Sequence, residues 1–325
     1  MKWITWSAVA LASLALPAQG PSIVPVQTIA LPGVEGRFDH LAVDLPSQKL
    51  FVAALGNNTL EVVDIRANTR ARSLTGFHEP QGILVIPGSS TVVVANGQSA
   101  SVQFVRSTDF SIARTVAPAD DADNLRYDAA ANRVYVGYGS GALGVIDATS
   151  GARLGDVRLG GHPESFQLET SGPRIFVNVP SAGQIAVVNR ETFAVTATWA
   201  VTEARSNFPM ALDEAGHRLF VGCRNPARIL IIDTTSGTTL WSFAAVGDAD
   251  DLFYDAARHR LYVSGGEGFI DVFQEHANGF VRTEHVPTAA GARTSLFVAS
   301  LNRFYLAVPH RGAQRAEVRV YAVRD

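Results

Sequence analysis

Hydrophobic positions in this chain come in short alternating runs that recur at a nearly constant distance. Val52, Val94, Val136, Val177, Val221, Val263 and Leu306 hold the same place in successive runs, spaced 42, 42, 41, 44, 42 and 43 residues. The runs around them read LFVAAL, VVVAN, VYVGY, IFVNV, LFVGC, LYVSG and FYLAV. Each is followed, after a short turn, by a second apolar run: LEVVD, SVQFV, LGVID, IAVVN, ILIID, FIDVF and VRVYA. Alternating β-branched and aromatic residues bounded by turn formers predict strands. A period in the low forties with strand content predicts propeller blades.

The turns supply the residues that tight hairpins need, among them Gly56-Asn57-Asn58, Gly139-Ser140-Gly141, Asn225-Pro226 and Gly265-Gly266. Beyond the first twenty residues, no stretch competes as a helix. Repeats one to six carry a fourth, more polar strand, such as Ala71-Arg72-Ser73-Leu74. The seventh stops at Val323-Arg324-Asp325 without one. An unpaired strand at 23–29 precedes the first repeat and is predicted to complete the last blade as its outer edge, where Pro25 needs no ladder partner. The expected fold is therefore an all-β, seven-bladed propeller closed by its N-terminal strand. It forms one domain over residues 21–325, with blades near 36–77, 78–118, 119–160, 161–204, 205–248, 249–291 and 292–325 plus 22–30.

Composition changes this picture only at the edges. Of 325 residues, 47% are hydrophobic and 18% charged, which suits sheets buried on both faces. Met1-Lys2, the apolar run 3–16 and Leu16-Pro17-Ala18-Gln19-Gly20 read as a secretory signal over residues 1–20, with cleavage after Ala18 or Gly20. Outside it no run is long enough to span a bilayer. The expectation is a soluble, exported, periplasmic or secreted monomer. Cys223 is the only cysteine and reads as a structural thiol rather than a nucleophile. A net charge of -3 with scattered arginines argues against nucleic acid as a partner.

The unit of an apolar strand, a tight turn, a second strand ending in Asp and a Thr/Ser-Gly turn is clear in VYVGYGSGALGVIDATSG and LFVGCRNPARILIIDTTSG. It resembles the YVTN-repeat propellers across the whole chain after the leader. That resemblance implies an exported bacterial seven-bladed scaffold and assigns no reaction. The Trp-Asp dipeptide of WD40 repeats is absent.

Candidate chemistry lies where innermost strands meet the channel mouth. Aligning the repeats places Arg37, Glu79, Asp121, His162, Ser206, Asp248 and Gly291 in one layer, and Asp39, Gln81, Asp123, Glu164, Phe208, Asp250 and Arg293 in a second. Residues two apart share a strand face. Further along that face the layers turn apolar, beginning with Leu41, Ile83, Leu125, Phe166, Met210 and Leu252. Converging carboxylates either hydrogen-bond loop N–H groups or bind a ligand or cation that relieves their repulsion. Arg37, Asp39, His40, Glu79, Asp123, Glu164, Asp250 and Arg293 are the candidate ligand-binding residues, and Asp123, Glu164 and Asp250 the candidate metal ligands. Oxygen donors favour Ca²⁺ or Mg²⁺, whereas His40 or His162 would admit Zn²⁺ or another transition metal. Arg37 and Arg293, from blades adjacent in the ring, are expected either to grip an anionic group together or to pair with ring carboxylates.

Other motifs carry less. Gly265-Gly266-Glu267-Gly268 joins two strands and opens no helix to hold phosphate. Asp128, Asp213 and Asp255 suit Asx turns. Two functions follow: a binding scaffold taking a small ligand, peptide or protein at the mouth, and a metal-assisted, lactonase-like hydrolase or lyase with His40 or His162 as base.

Overall fold

The computed structural model describes residues 20–117 and 120–325; apart from Gly20, the expected leader lies outside them. Seven four-stranded antiparallel sheets make a β-propeller. In six of them the strands follow chain order from the channel outwards, and in the seventh Ile23–Ala30 is the outermost strand. It pairs antiparallel with Glu317–Val323, from Ile23 against Val323 to Ala30 against Glu317, with an irregularity between Pro25 and Gln27 that absorbs the proline. Among the described residues the helical elements are three single 3₁₀ turns, at Leu55–Asn57, Pro180–Ala182 and Ala299–Leu301.

The repeated valine fixes the register of every blade. Val52 pairs with Leu41, Val94 with Ile83, Val136 with Leu125, Val177 with Phe166, Val221 with Met210, Val263 with Leu252 and Leu306 with Ser295. Alternation then sends neighbouring residues to opposite faces of a blade. Val52 and Leu50 join the core between blades seven and one, whereas Phe51 and Ala53 join the core between blades one and two. The same division runs around the ring, so the hydrophobic core is seven clusters, one at each seam. Full burial of one such aliphatic or aromatic side chain contributes about 1.5–3 kcal/mol. Ile29 and Leu31 of the closing segment belong to the seam between blades seven and one, so closure adds core as well as hydrogen bonds.

Aspartates set the turns at the end of the propeller away from the mouth. Asp128 accepts the N–H groups of Ala130 and Ala131, Asp213 that of Gly216, and Asp255 those of Ala257 and Arg258, as their Asx spacing predicts. Cys223 is buried in the seam between blades four and five, and burial pushes its thiol up to about 12, which removes it as a nucleophile.

Candidate functional site

The chain enters each innermost strand through a sharp turn, and these turns form the mouth. Glu79, Asp121, Ser206 and Asp248 sit there in left-handed backbone, with φ of 51°, 48°, 61° and 52°. Such strain in non-glycine residues persists only where the surroundings impose it. Beside Arg37 the constraint is a close approach: Gly36 and Gly56 touch, and a Cβ on Gly56 would lie 2.8 Å from the Arg37 backbone nitrogen.

Every candidate ligand-binding residue of the aligned layers lines one cavity of about 290 Å³ at this mouth, together with Gln81, Asp121, His162, Phe208 and Arg224. A larger cavity, about 650 Å³, opens at the far end between blades one and two against Val43, Leu45, Pro46, Val85 and Pro87. The larger cavity has one titratable residue, Asp44, which already accepts a bond from Ser47. Chemistry therefore favours the smaller one.

The mouth has two halves. On one side Asp250 is enclosed by guanidiniums: Arg224 pairs with Oδ1 and Arg293 lies 2.8 Å from Oδ2. Arg293 also bonds Asp248 at 2.8 Å. The Arg224 guanidinium carbon lies over the Phe208 ring, 3.8 Å from its centre. This side is electrostatically closed, which corrects one expectation and decides another. Asp250 is taken by arginines rather than joining Asp123 and Glu164 as a metal ligand. Of the two roles expected for Arg293, the pairing with ring carboxylates holds, and it forms no cationic pair with Arg37. Arg37 itself is exposed and has no side-chain hydrogen bond or ion pair among the described residues.

On the other side carboxylates and imidazoles converge. Asp39, His40 and Asp123 bring donor atoms within 4.8 Å of one another, and so do Asp123, His162 and Glu164. Asp39 and Asp123 are only 9% and 7% exposed. Burial raises the Asp39 carboxyl well above the usual range, and Asp123 and Asp250 add to the rise against His40. Burial also raises Glu164, with Asp123 as the next cause. Burial opposes the charged form of His40, yet Asp251 and Asp39 carry the ring up to about 10. Asp123, followed by the Gly139 carbonyl, likewise holds His162 above its usual value despite burial.

The hydrogen-bonding role expected for these carboxylates falls to other residues. Asn57 accepts the N–H of Glu35, Asn58 that of Glu79, Asn96 that of His78, Glu267 that of Gly247 and Asp271 that of Val246.

Below the mouth the wall is more polar than expected. The strands shift register between Pro80 and Ile83, Asn207 and Met210, and Ala249 and Asp251. In these blades the irregularities break the count of two. Leu41, Ile83, Leu125, Phe166, Met210 and Leu252 are buried. In the channel beneath, Leu41, Ile83 and Leu125 share the wall with His40, Arg126, Gln167, Asp251 and Phe253. Arg224, Arg126 and Asp251 are the site residues that the alignment missed. Arg224 had a signal: its register reads Leu55, Gly97, Gly139, Pro180, Arg224, Gly266 and Pro309, and only one of these is charged.

No protein-family model and no curated protein matches this chain. Solved structures share its fold. A chain of a structure described as "Crystal Structure of Mitotic Checkpoint Complex" superposes with a TM-score of 0.78 at 12% identity, over 98% of this chain and 99% of that one. A chain of the Kuenenia stuttgartiensis hydrazine synthase superposes with a TM-score of 0.76 at 14% identity, over 85% of this chain and 95% of that one. At such identities the likeness establishes the propeller and nothing about its chemistry. Among the described residues, no helix is long and apolar enough to cross a membrane.

Proposed function

We propose that the protein is an exported, monomeric binding propeller of the YVTN-repeat type, periplasmic or secreted, whose channel mouth takes up a small charged ligand. One observation carries this reading. The exposed Arg37 stands in the same cavity of about 290 Å³ as Asp39 and Asp123, two largely buried carboxylates that face His40 and His162 at 3.5 and 3.7 Å. Charge of both signs in one concavity suits a small polar molecule, whereas a peptide or protein would reach it only from the rim. Thermal melting against amino acids, small carboxylates, phosphate esters and polyamines tests this. At a concentration of 100 Kd a ligand adds about 2.7 kcal/mol of stability. The rise in Tm should vanish in Arg37→Ala or Asp39→Asn, and a panel without any shift would refute the reading.

Hydrolysis is the second reading, favoured by the convergence of Asp123, His162 and Glu164 into a group able to hold a cation that polarises a carbonyl. Turnover of lactones or esters that disappears in Asp123→Asn would decide for it.

A further inference from the structure

The two histidines of the mouth are oriented alike. His40 has Nδ1 3.4 Å from Asp251 Oδ1, and the other oxygen of Asp251 is fixed by the Ser295 N–H at 2.7 Å. Its Nε2 faces the Asp39 carboxylate, 3.5 Å away. His162 has Nδ1 2.7 Å from the Gly139 carbonyl oxygen, and its Nε2 faces Asp123, 3.7 Å away. In each ring Nδ1 faces an oxygen outside the cavity and Nε2 is turned toward the carboxylates of the mouth, so an ion that displaces the Nε2 proton would find that nitrogen already directed at it. Metal-ligating histidines are held in this way, with the distal nitrogen bonded to a carboxylate or carbonyl.

A second observation concerns the carboxylates. Asp39 and Asp123 are 9% and 7% exposed and line the cavity, and the positive groups nearest to them are the two rings, at 3.5 and 3.7 Å. Buried carboxylates ordinarily accept several short hydrogen bonds, and a cation between carboxylate and ring would take their place.

We infer that the mouth binds divalent transition-metal ions at two adjacent positions sharing Asp123, one completed by Asp39 and His40 and the other by His162 and Glu164. In each trio the donor atoms already lie within 4.8 Å of one another. Mixed imidazole and carboxylate donors select Zn²⁺, Mn²⁺ or Fe²⁺ over Ca²⁺ and Mg²⁺, which prefer oxygen alone. Three protein ligands per ion leave positions open toward the cavity, where the anionic group of a charged molecule can bind within reach of Arg37. The inference deepens the binding reading and rests on the mouth being a binding site.

The test is titration of the chelator-stripped full chain with Zn²⁺, Mn²⁺ and Ca²⁺ by calorimetry, with Co²⁺ absorption as a report on the ligand set. Two equivalents of Zn²⁺ are expected. His40→Ala and His162→Ala should each lose one, and Asp123→Asn should weaken both at least 100-fold. His217→Ala, an exposed histidine in a turn outside the mouth, should keep two. Circular dichroism melts check that each variant folds, and the two histidine variants suffice if Asp123→Asn does not. No binding, one equivalent, preference for Ca²⁺, or two equivalents retained by the histidine variants would overturn the inference. A small-molecule melting shift without metal binding sinks the metal pair alone. Metal binding without any such shift sinks the small-ligand reading alone.

Discussion

Asp123 and His162 face one another across 3.7 Å, close enough for attraction and too far for a hydrogen bond. The buried Asp123 carboxylate has this ring as its opposing charge, so desolvation and attraction largely offset one another. Asp123→Asn should therefore change the stability of the metal-free protein by less than about 1 kcal/mol while weakening metal binding. Urea unfolding of stripped protein measures this, and a loss of more than about 1 kcal/mol would assign the carboxylate to the scaffold.

Asp250 is the opposite case. Removing it as Asp250→Ala leaves Arg224 and Arg293, each about one-fifth exposed, sharing the more exposed Asp248 as their remaining carboxylate. A loss of about 2–3 kcal/mol is expected in the same unfolding experiment.

Ring closure predicts a contrast within one strand. Ile29 is 1% exposed in the seam between blades seven and one, whereas Val26 is 47% exposed on the outer edge. Ile29→Ala should cost about 2–4 kcal/mol and Val26→Ala less than about 0.5 kcal/mol, read as shifts in the urea midpoint.

Acid stability should depend on Glu214. It accepts the N–H groups of Thr170 at 2.6 Å and Ser171 at 2.9 Å, and the Ser171 hydroxyl as well. Burial works against its charge, but these bonds hold the carboxyl down to about 2. A depressed folded value means that the stabilisation is present above the ordinary value of 4.5 and is lost as pH falls from there toward 2. Melting of wild type and Glu214→Gln should differ at pH 6 and converge near pH 2; a gap constant with pH would exclude the carboxylate as its source.

Blade number, register and mouth composition were legible because a strand buried at two seams must be apolar at every position. Val52 and its counterparts stand out for that reason, and counting back from them reaches Asp39, Asp123 and Glu164. The polar members of the deeper wall were not legible. An irregularity such as that between Ala249 and Asp251 shifts the register of the strand without altering its composition. The pairing of Arg224 with Asp250 depends on how far two blades approach, which no spacing along one strand encodes. The two histidines were visible as residues, but the acceptors behind them, Asp251 and the Gly139 carbonyl, come from other parts of the ring.

The Ile23 to Val323 pairing brings residues 22–324 round into an almost complete circle. The Arg324 N–H reaches the Ser22 carbonyl at 2.8 Å, so a short peptide joining these two residues would complete it. The blade order would then have no privileged start. A permuted gene opening in any hairpin away from the mouth encodes the same seams and the same channel, and places new ends wherever a fusion is wanted.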